Sequence, residues 1–167
     1  MHRINESPGS RILSRWNRLS GLPGGKALFS YLVGRSAPYT GTLGAQVQEL
    51  TPGHCRVVLR DRHRVRNHLN SVHAVALTNL GEMASGLAML SSLPKRIRAI
   101  VVRLDTEYLK KGRGRLTAEC RCSPPQVSGV TEHRIQADIR DRDDDLVARV
   151  TAIWRLAPQA EDQTRGG

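Results

Sequence analysis

The fold of this chain is decided by one stretch of nineteen residues, Ser71-Val-His-Ala-Val-Ala-Leu-Thr-Asn-Leu-Gly-Glu-Met-Ala-Ser-Gly-Leu-Ala-Met89. Its larger apolar residues recur every three or four positions, which predicts one helix that is apolar over most of its circumference. Ser71 is the predicted N-cap. His73 and Glu82 are then expected among apolar residues, where an ionisable group is costly unless it is paired or functional. These two residues are therefore the first candidates for a site.

His73 and Glu82 should point to opposite sides of the predicted helix. They are nine residues apart, and nine steps of about 100° amount to two and a half turns. A single copy of the helix can hardly bring both side chains to one site. Two copies packed side by side would do so, and the spacing therefore favours a site shared between two subunits.

The rest of the chain is predicted as helices first and strands afterwards. Residues 1–37 read as helical, with a break at Pro23-Gly24-Gly25, and residues 62–70 read as an arginine-rich loop. Apolar alternation and intervening turns predict strands at 42–50, 54–61, 96–109, 114–123, 130–141 and 146–156. We expect an α+β domain at 38–157, with a long antiparallel sheet wrapped around the central helix. A helical extension at 1–37 precedes it, and a polar tail at 158–167 follows.

Composition favours a single globular domain in the cytoplasm. The 167 residues are 39% apolar and 25% charged. No segment reaches the roughly 18 consecutive apolar residues of a membrane span, and the N-terminus lacks the apolar stretch of a secretory signal. The cysteines, Cys55, Cys120 and Cys122, are odd in number, which argues against a disulfide framework. They also lack two further ligands at suitable spacing, so no metal site is expected.

The segment from Asn67 to Glu82 resembles the signature of hotdog-fold thioesterases of the phenylacetate-pathway type. That signature is an Asn, then a His six residues later followed by two glycines, then an acidic residue nine positions after the His. Asn67, His73 and Glu82 stand at these spacings. The resemblance covers residues 38–157 and is closer still to a bacterial branch of the superfamily with extra N-terminal helices. It implies a hotdog fold.

The resemblance also implies a role for each matching residue. Glu82 corresponds to the general base or nucleophile that acts on the thioester, and Asn67 to the residue that helps to position the attacking water. His73 and the backbone amide of Ala74 correspond to the group that polarises the thioester carbonyl. In the family the acid comes from one subunit and the Asn and His from the other, in agreement with the opposite faces inferred above. A homodimer, or a pair of such dimers, acting on acyl-CoA without a separate cofactor is implied.

One departure from the signature bears on activity. Ala74-Val75 stands where the family has Gly-Gly. The Ala74 amide can still donate at the helix N-terminus, where unpaired N–H groups and the helix dipole favour an oxyanion. Val75 would crowd a group that approaches this end. The sequence therefore predicts an acyl-CoA thioesterase and leaves open, as the alternative, a non-catalytic protein of the same fold that binds or senses acyl-CoA.

Substrate contacts are predicted in two places. Thr78 and Ser85 form, with Glu82, a narrow polar line on the otherwise apolar helix. The second place is a basic turn around Gly112 and Gly114, which is the best candidate for the phosphates of coenzyme A because Arg binds phosphate in bidentate fashion and Lys as a point charge. Its basic residues are Lys110, Lys111, Arg113 and Arg115.

The net charge of +11 also admits a nucleic-acid-binding protein, because such a field attracts any polyanion. Only six residues are aromatic, and no nucleic-acid-binding motif is present. Proteins that stack bases use more aromatic side chains. Specific binding of nucleic acid is therefore the least favoured of the three functions.

Overall fold

The structure, a computed structural model, describes residues 8–159. Three helices lead into the sheet, and a fourth, longer helix separates its first two strands from the other four. The helices are α1 (Pro8–Leu19), α2 (Gly25–Ser36), α3 (Pro38–Gly41) and α4 (Ala74–Ser92). The strands are β1 (Gln46–Thr51), β2 (His54–Leu59), β3 (Ile97–Tyr108), β4 (Leu116–Arg121), β5 (Thr131–Arg140) and β6 (Leu146–Pro158). A 3-10 turn at His63–Val65 lies within the arginine-rich loop.

The six strands form one antiparallel sheet in the order β1-β2-β4-β5-β6-β3. Helix α4 packs across strands β2, β4, β5 and β6, and buries its apolar residues against their inward side chains. The predicted inward positions of the first hairpin, Val47, Leu50, Val57 and Leu59, are all buried. The α+β class and the sheet built around one central helix are thus confirmed.

Helix α4 begins later than the sequence predicts. Its N-cap is His73, whose Nδ1 accepts a hydrogen bond of 3.1 Å from the Val75 amide, so the predicted cap at Ser71 is wrong. Ser71 instead donates its hydroxyl to Asn67, and Val72 forms a β-bridge with Arg66. Because these residues are held by the preceding loop, the helix starts two residues further on.

Close packing between α4 and the sheet depends on a glycine. A Cβ atom at Gly81 would lie 2.5 Å from the Cβ of Val150 on β6. The neighbouring helix residues Leu80 and Ala84 are fully buried. Glycine at position 81 therefore lets the helix approach the sheet more closely than any side chain would allow.

The N-terminal helices pack on the outer side of α4. Trp16 of α1 and Phe29 of α2 meet edge to face, with ring centroids 5.1 Å apart, and both are buried. Gly9 lies so close to α4 that an added Cβ would overlap the Leu90 carbonyl oxygen. The predicted helical residues 1–7 and the tail residues 160–167 lie outside the described part of the chain. None of the described helices is both long and apolar enough to cross a membrane.

Candidate functional site

Glu82 lies at an apolar pocket of about 260 Å³ between α4 and the N-terminal helices. The walls come from α1, α2, α4 and β6 and include Phe29, Leu87 and Trp154. The carboxylate is half-buried, and it has no ion pair or hydrogen bond with any described residue. Burial raises the pKa of Glu82 above that of an ordinary glutamate. An unpaired carboxylate in an apolar pocket is an arrangement typical of a functional acid or base.

Trp154 supplies a second unpaired polar group at this pocket. The side chain is 6% exposed and lines the pocket, and its indole N–H is buried without a hydrogen-bond partner in the described chain. An added Cβ at Gly86 would lie 3.3 Å from the Trp154 ring and 3.8 Å from Glu82 Oε1, so these residues adjoin one another. Buried N–H groups are almost always paired. From sequence, Trp154 is only an inward strand residue, and no motif marked it as part of a site.

His73 occupies the exposed N-terminal end of α4. The expectation that it is buried in the core is therefore wrong, because the helix starts after it. Its Nδ1 caps the helix through the Val75 amide. The Ala74 amide, at the first helical position, makes no hydrogen bond with the described residues. This amide remains available to an oxyanion, whereas the Val75 amide is already engaged.

Asn67 shapes the loop that leads into the helix. Its Oδ1 accepts hydrogen bonds from the amides of Leu69 and Ser71 and from the Ser71 hydroxyl. The loop is also joined to the helix start, because the His73 amide donates to the Val65 carbonyl. Asn67 therefore lies near His73 at the same end of α4, and its role in positioning water stays a prediction.

The three residues of the predicted polar line on α4 lie in different environments. The Thr78 hydroxyl lies 2.9 Å from Thr106 Oγ1 and 2.8 Å from the Tyr108 hydroxyl, which joins the helix to strand β3. Ser85 is fully buried and donates its hydroxyl to the Glu82 carbonyl oxygen. Glu82 lies between them in sequence, one turn beyond Thr78 and on the same side of the helix.

The predicted basic turn lies beside the N-terminal end of α4. The Val72 amide donates to the Gly112 carbonyl, 2.8 Å away. Lys110 is engaged with Asp141 and Asp145, at 2.7 and 2.5 Å. The other three basic residues are exposed; they are Lys111, Arg113 and Arg115. Of the predicted phosphate ligands, Lys110 therefore already has two carboxylate partners.

The structure separates the predicted catalytic residues within one chain. Asn67, His73 and Ala74 lie together at the start of α4, and Glu82 lies about 13 Å further along the helix axis, on another face. Among residues 8–159 there is no group of three His, Cys, Asp or Glu side chains arranged to hold a metal ion. A site that uses His73 and Glu82 together therefore requires a second copy of the chain.

Sequence comparison places the chain in a family. The sequence profile of a domain of unknown function, DUF4442, matches residues 25–156. The chain belongs to the DUF4442 family. The match begins at α2 and runs through β6, so it contains Glu82, Trp154 and the start of α4 but leaves out α1.

Solved structures show that this DUF4442 domain has the hotdog fold. A structural genomics target superimposes with a TM-score of 0.77 at 29% identity, covering 89% of this chain and 99% of that one. A Pseudomonas aeruginosa protein of unknown function, named a probable thioesterase, has a TM-score of 0.72 at 23% identity and covers 83% and 97% of the two chains. A hypothetical thioesterase from Streptococcus pneumoniae, crystallised with coenzyme A, has a TM-score of 0.63 at 20% identity, covering 75% and 98%.

A shorter match relates the DUF4442 chain to a Halobacterium salinarum protein named "Putative esterase". The two are 33% identical over 82 residues, which is 46% of this chain. The match spans 54%, about half, of the length of that relative.

Removal of the helix cap at His73 should cause a measurable loss of stability, whether or not His73 has a catalytic role. His73→Ala is expected to lower the free energy of unfolding by about 0.5–2 kcal/mol, because the Val75 amide loses its acceptor. His73→Asn keeps an acceptor and should retain most of the stability. Urea denaturation of both variants, with the exposed His68→Ala as control, tests this. Equal stability of His73→Ala and the parent chain would contradict the capping role.

Proposed function

We propose that this DUF4442 protein hydrolyses acyl-CoA thioesters, with Glu82 as general base or nucleophile. The observation that carries the proposal is the unpaired, half-buried Glu82 carboxylate at an apolar pocket. Two structural neighbours named as thioesterases, one of them crystallised with coenzyme A, and the esterase-like relative support a reaction of this class.

The proposed chemistry follows from the environment of Glu82. A carboxylate with a raised pKa is a stronger base than an exposed glutamate, so it can accept a proton from a water molecule at neutral pH. The hydroxide equivalent then adds to the thioester carbonyl. The negative charge that develops on the carbonyl oxygen would be stabilised by the free Ala74 amide at the N-terminus of α4 in the second copy of the chain. Collapse of this adduct breaks the carbon–sulfur bond, and the coenzyme A thiolate leaves and takes up a proton.

The pocket at Glu82 suits an apolar acyl group. Phe29, Leu32, Leu87 and Leu90 line it together with Trp154. The Glu82 carboxylate is the ionisable group of α4 that would meet the thioester end of such a ligand. Apolar walls with few polar groups are typical of sites that bind an apolar molecule in one orientation.

A second copy of the chain is proposed to complete the site by pairing along strand β3. This strand is an edge of the sheet. It carries apolar side chains that are 38–63% exposed, which is unusual for an unpaired edge. They are Ile100, Val102, Leu104 and Tyr108, and the exposed Leu109 follows directly after the strand. We expect pairing at this edge to bring His73 of one copy towards Glu82 of the other, because Thr78, one turn before Glu82, contacts β3.

The direct test is hydrolysis of a panel of acyl-CoA thioesters, from acetyl to palmitoyl and including phenylacetyl, followed by release of the free thiol. We expect turnover, with a preference for apolar acyl groups that fit the pocket. Absence of thiol release across the whole panel would contradict the proposal.

The raised pKa of Glu82 predicts the pH dependence of hydrolysis. The reaction requires the ionised carboxylate, so the rate falls as the pH decreases through the folded-state pKa. Because burial raises that pKa, the acid limb of kcat should lie above the ordinary glutamate value. Rates measured across the acid range, at saturating acyl-CoA, test this. An acid limb at the value of an exposed glutamate would show that another group controls the reaction.

A non-catalytic acyl-CoA-binding protein is the second candidate, because of Val75. Its side chain is 50% exposed at the start of α4, and its amide is already bonded to His73. The helix end therefore offers an approaching carbonyl fewer free donors than two glycines would. Binding of acyl-CoA by calorimetry, without thiol release for any acyl group, would favour this candidate.

A further inference from the structure

A second cleft, of about 950 Å³, is lined by arginines and contains no carboxylate. It lies between helices α2–α3 and the start of the sheet. Four arginines from two parts of the chain, helix α2 and the segment after β2, line it: Arg35, Arg60, Arg62 and Arg64. No Asp or Glu is among the residues that line it. The cleft therefore concentrates positive charge in a concave surface, which focuses the field on an anion.

These four guanidinium groups have no ion pair with any described residue. By contrast, Arg56 pairs with Glu49, Arg66 with Asp61 and Arg149 with Asp138, all within 3 Å. The paired arginines are neutralised by the fold. The four in the cleft repel one another in the absence of a ligand, and an anion with several charges would relieve that repulsion.

Gly44 holds two of the guanidinium groups side by side. It adopts a left-handed backbone conformation, with φ of 60°. A Cβ atom there would overlap Arg64 Nη2 and lie 3.4 Å from Arg62 Nη1. The missing side chain thus leaves space that the Arg64 guanidinium group occupies, next to Arg62 Nη1. Their planar donor groups can bind phosphate oxygens in bidentate fashion.

The cleft adjoins the pocket at Glu82. Thr40 and Met83 line both cavities. One ligand with an anionic end and an apolar end can therefore occupy the two together. Tyr31, which is 62% exposed, also lines the cleft and offers an aromatic face on which a base can stack.

We propose that the cleft lined by Arg35, Arg60, Arg62 and Arg64 binds the phosphates of the nucleotide end of an acyl-CoA, whose acyl group lies in the pocket at Glu82. This inference rests on the proposed function and replaces the basic turn at 110–115 as the phosphate site. The turn is less suited, because Lys110 is already held by Asp141 and Asp145.

The test compares two variants that each remove two positive charges. Calorimetric titration with coenzyme A, and with adenosine 3′,5′-bisphosphate, is carried out on Arg62→Gln/Arg64→Gln and on Lys111→Gln/Arg113→Gln. The first variant should bind both ligands at least about tenfold more weakly, because charge-assisted contacts to phosphate are lost. The second should bind them as the parent chain does. Equal affinity of the first variant and the parent chain, or a larger loss in the second, would overturn the proposal.

A second measurement separates this inference from the proposed function. Acyl-CoA and the matching N-acetylcysteamine thioester, which lacks the nucleotide, are compared as substrates. Arg62→Gln/Arg64→Gln should raise KM for acyl-CoA and leave hydrolysis of the short thioester unchanged; loss of both would contradict a phosphate role. If the parent chain hydrolyses neither substrate, the proposed function fails, and the titrations still decide the phosphate site.

Discussion

Glu82→Gln is expected to reduce the rate of acyl-CoA hydrolysis by about two to four orders of magnitude, the contribution of a positioned general base. The amide keeps the shape of the side chain but cannot accept a proton from water. Thiol release under single-turnover conditions measures the chemical step directly. Glu132→Gln is the matched control, because Glu132 is 53% exposed on β5 and pairs with Arg155. A Glu82→Gln rate within a few-fold of the parent chain would refute the catalytic role of Glu82.

The loss of activity in Glu82→Gln should occur without loss of stability. A carboxyl group whose pKa is raised by burial destabilises the folded state when it is ionised and does so less when it is protonated. The free-energy cost of burying the ionised Glu82 carboxylate is present at pH values above its raised pKa in the folded state. It disappears at pH values below the pKa that Glu82 has in the unfolded chain. Glu82→Gln should therefore be at least as stable as the parent chain at neutral pH, with the difference shrinking as the pH falls.

A mixture of subunits shows whether the site is shared. His73→Ala and Glu82→Gln subunits are each expected to be impaired alone. After the two are unfolded and refolded together, half of the dimers contain one of each, and such a dimer has one intact site of two. About a quarter of the parent activity should then return for a symmetric dimer. No recovery would place His73 and Glu82 in the same subunit's site, and full activity of His73→Ala alone would remove His73 from the reaction.

Gly81→Ala is expected to lower the free energy of unfolding by about 1–3 kcal/mol, although alanine is the better helix former. The added methyl group would lie 2.5 Å from Val150 Cβ, so the helix and the sheet must move apart. Thermal and urea denaturation measure the loss. Gly129→Ala is the control, because nothing lies within 4 Å of a Cβ there. Unchanged stability of Gly81→Ala would show that the helix–sheet contact can relax freely.

Much of the fold could be predicted from sequence because the central helix and the strands carry clear apolar periodicities. The start of α4 could not, since Ser71 and His73 are both able to cap a helix and the choice depends on the loop. Asn67 and the Arg66–Val72 bridge hold that loop in place, and these contacts cannot be predicted from the local sequence pattern. The sequence also predicts a buried His73, because it places this residue inside the helix. The structure places His73 at the helix start, where it is exposed.

The candidate site was only partly visible in the sequence. Glu82 could be found from its position in an apolar helix and from the spacing to His73. Trp154 could not, because a tryptophan in an alternating strand is ordinarily a core residue, and its unpaired N–H depends on the surrounding side chains. Only three of the four arginines in the second cleft are close together in sequence. Arg35 joins Arg60, Arg62 and Arg64 through the packing of α2, and which arginines lack a carboxylate partner is decided by tertiary structure.

Helix α1 lies outside the segment that matches the DUF4442 profile, yet Ile12 and Arg15 line the pocket beside Glu82. Glu82 and part of the wall of its pocket are thus encoded by separate segments. Sequence drift in α1 can reshape the pocket without altering the residues that carry the signature. For the function proposed above, we expect family members that keep the same Glu and His but differ in α1 to accept acyl groups of different size, and an exchange of α1 between them to transfer that preference.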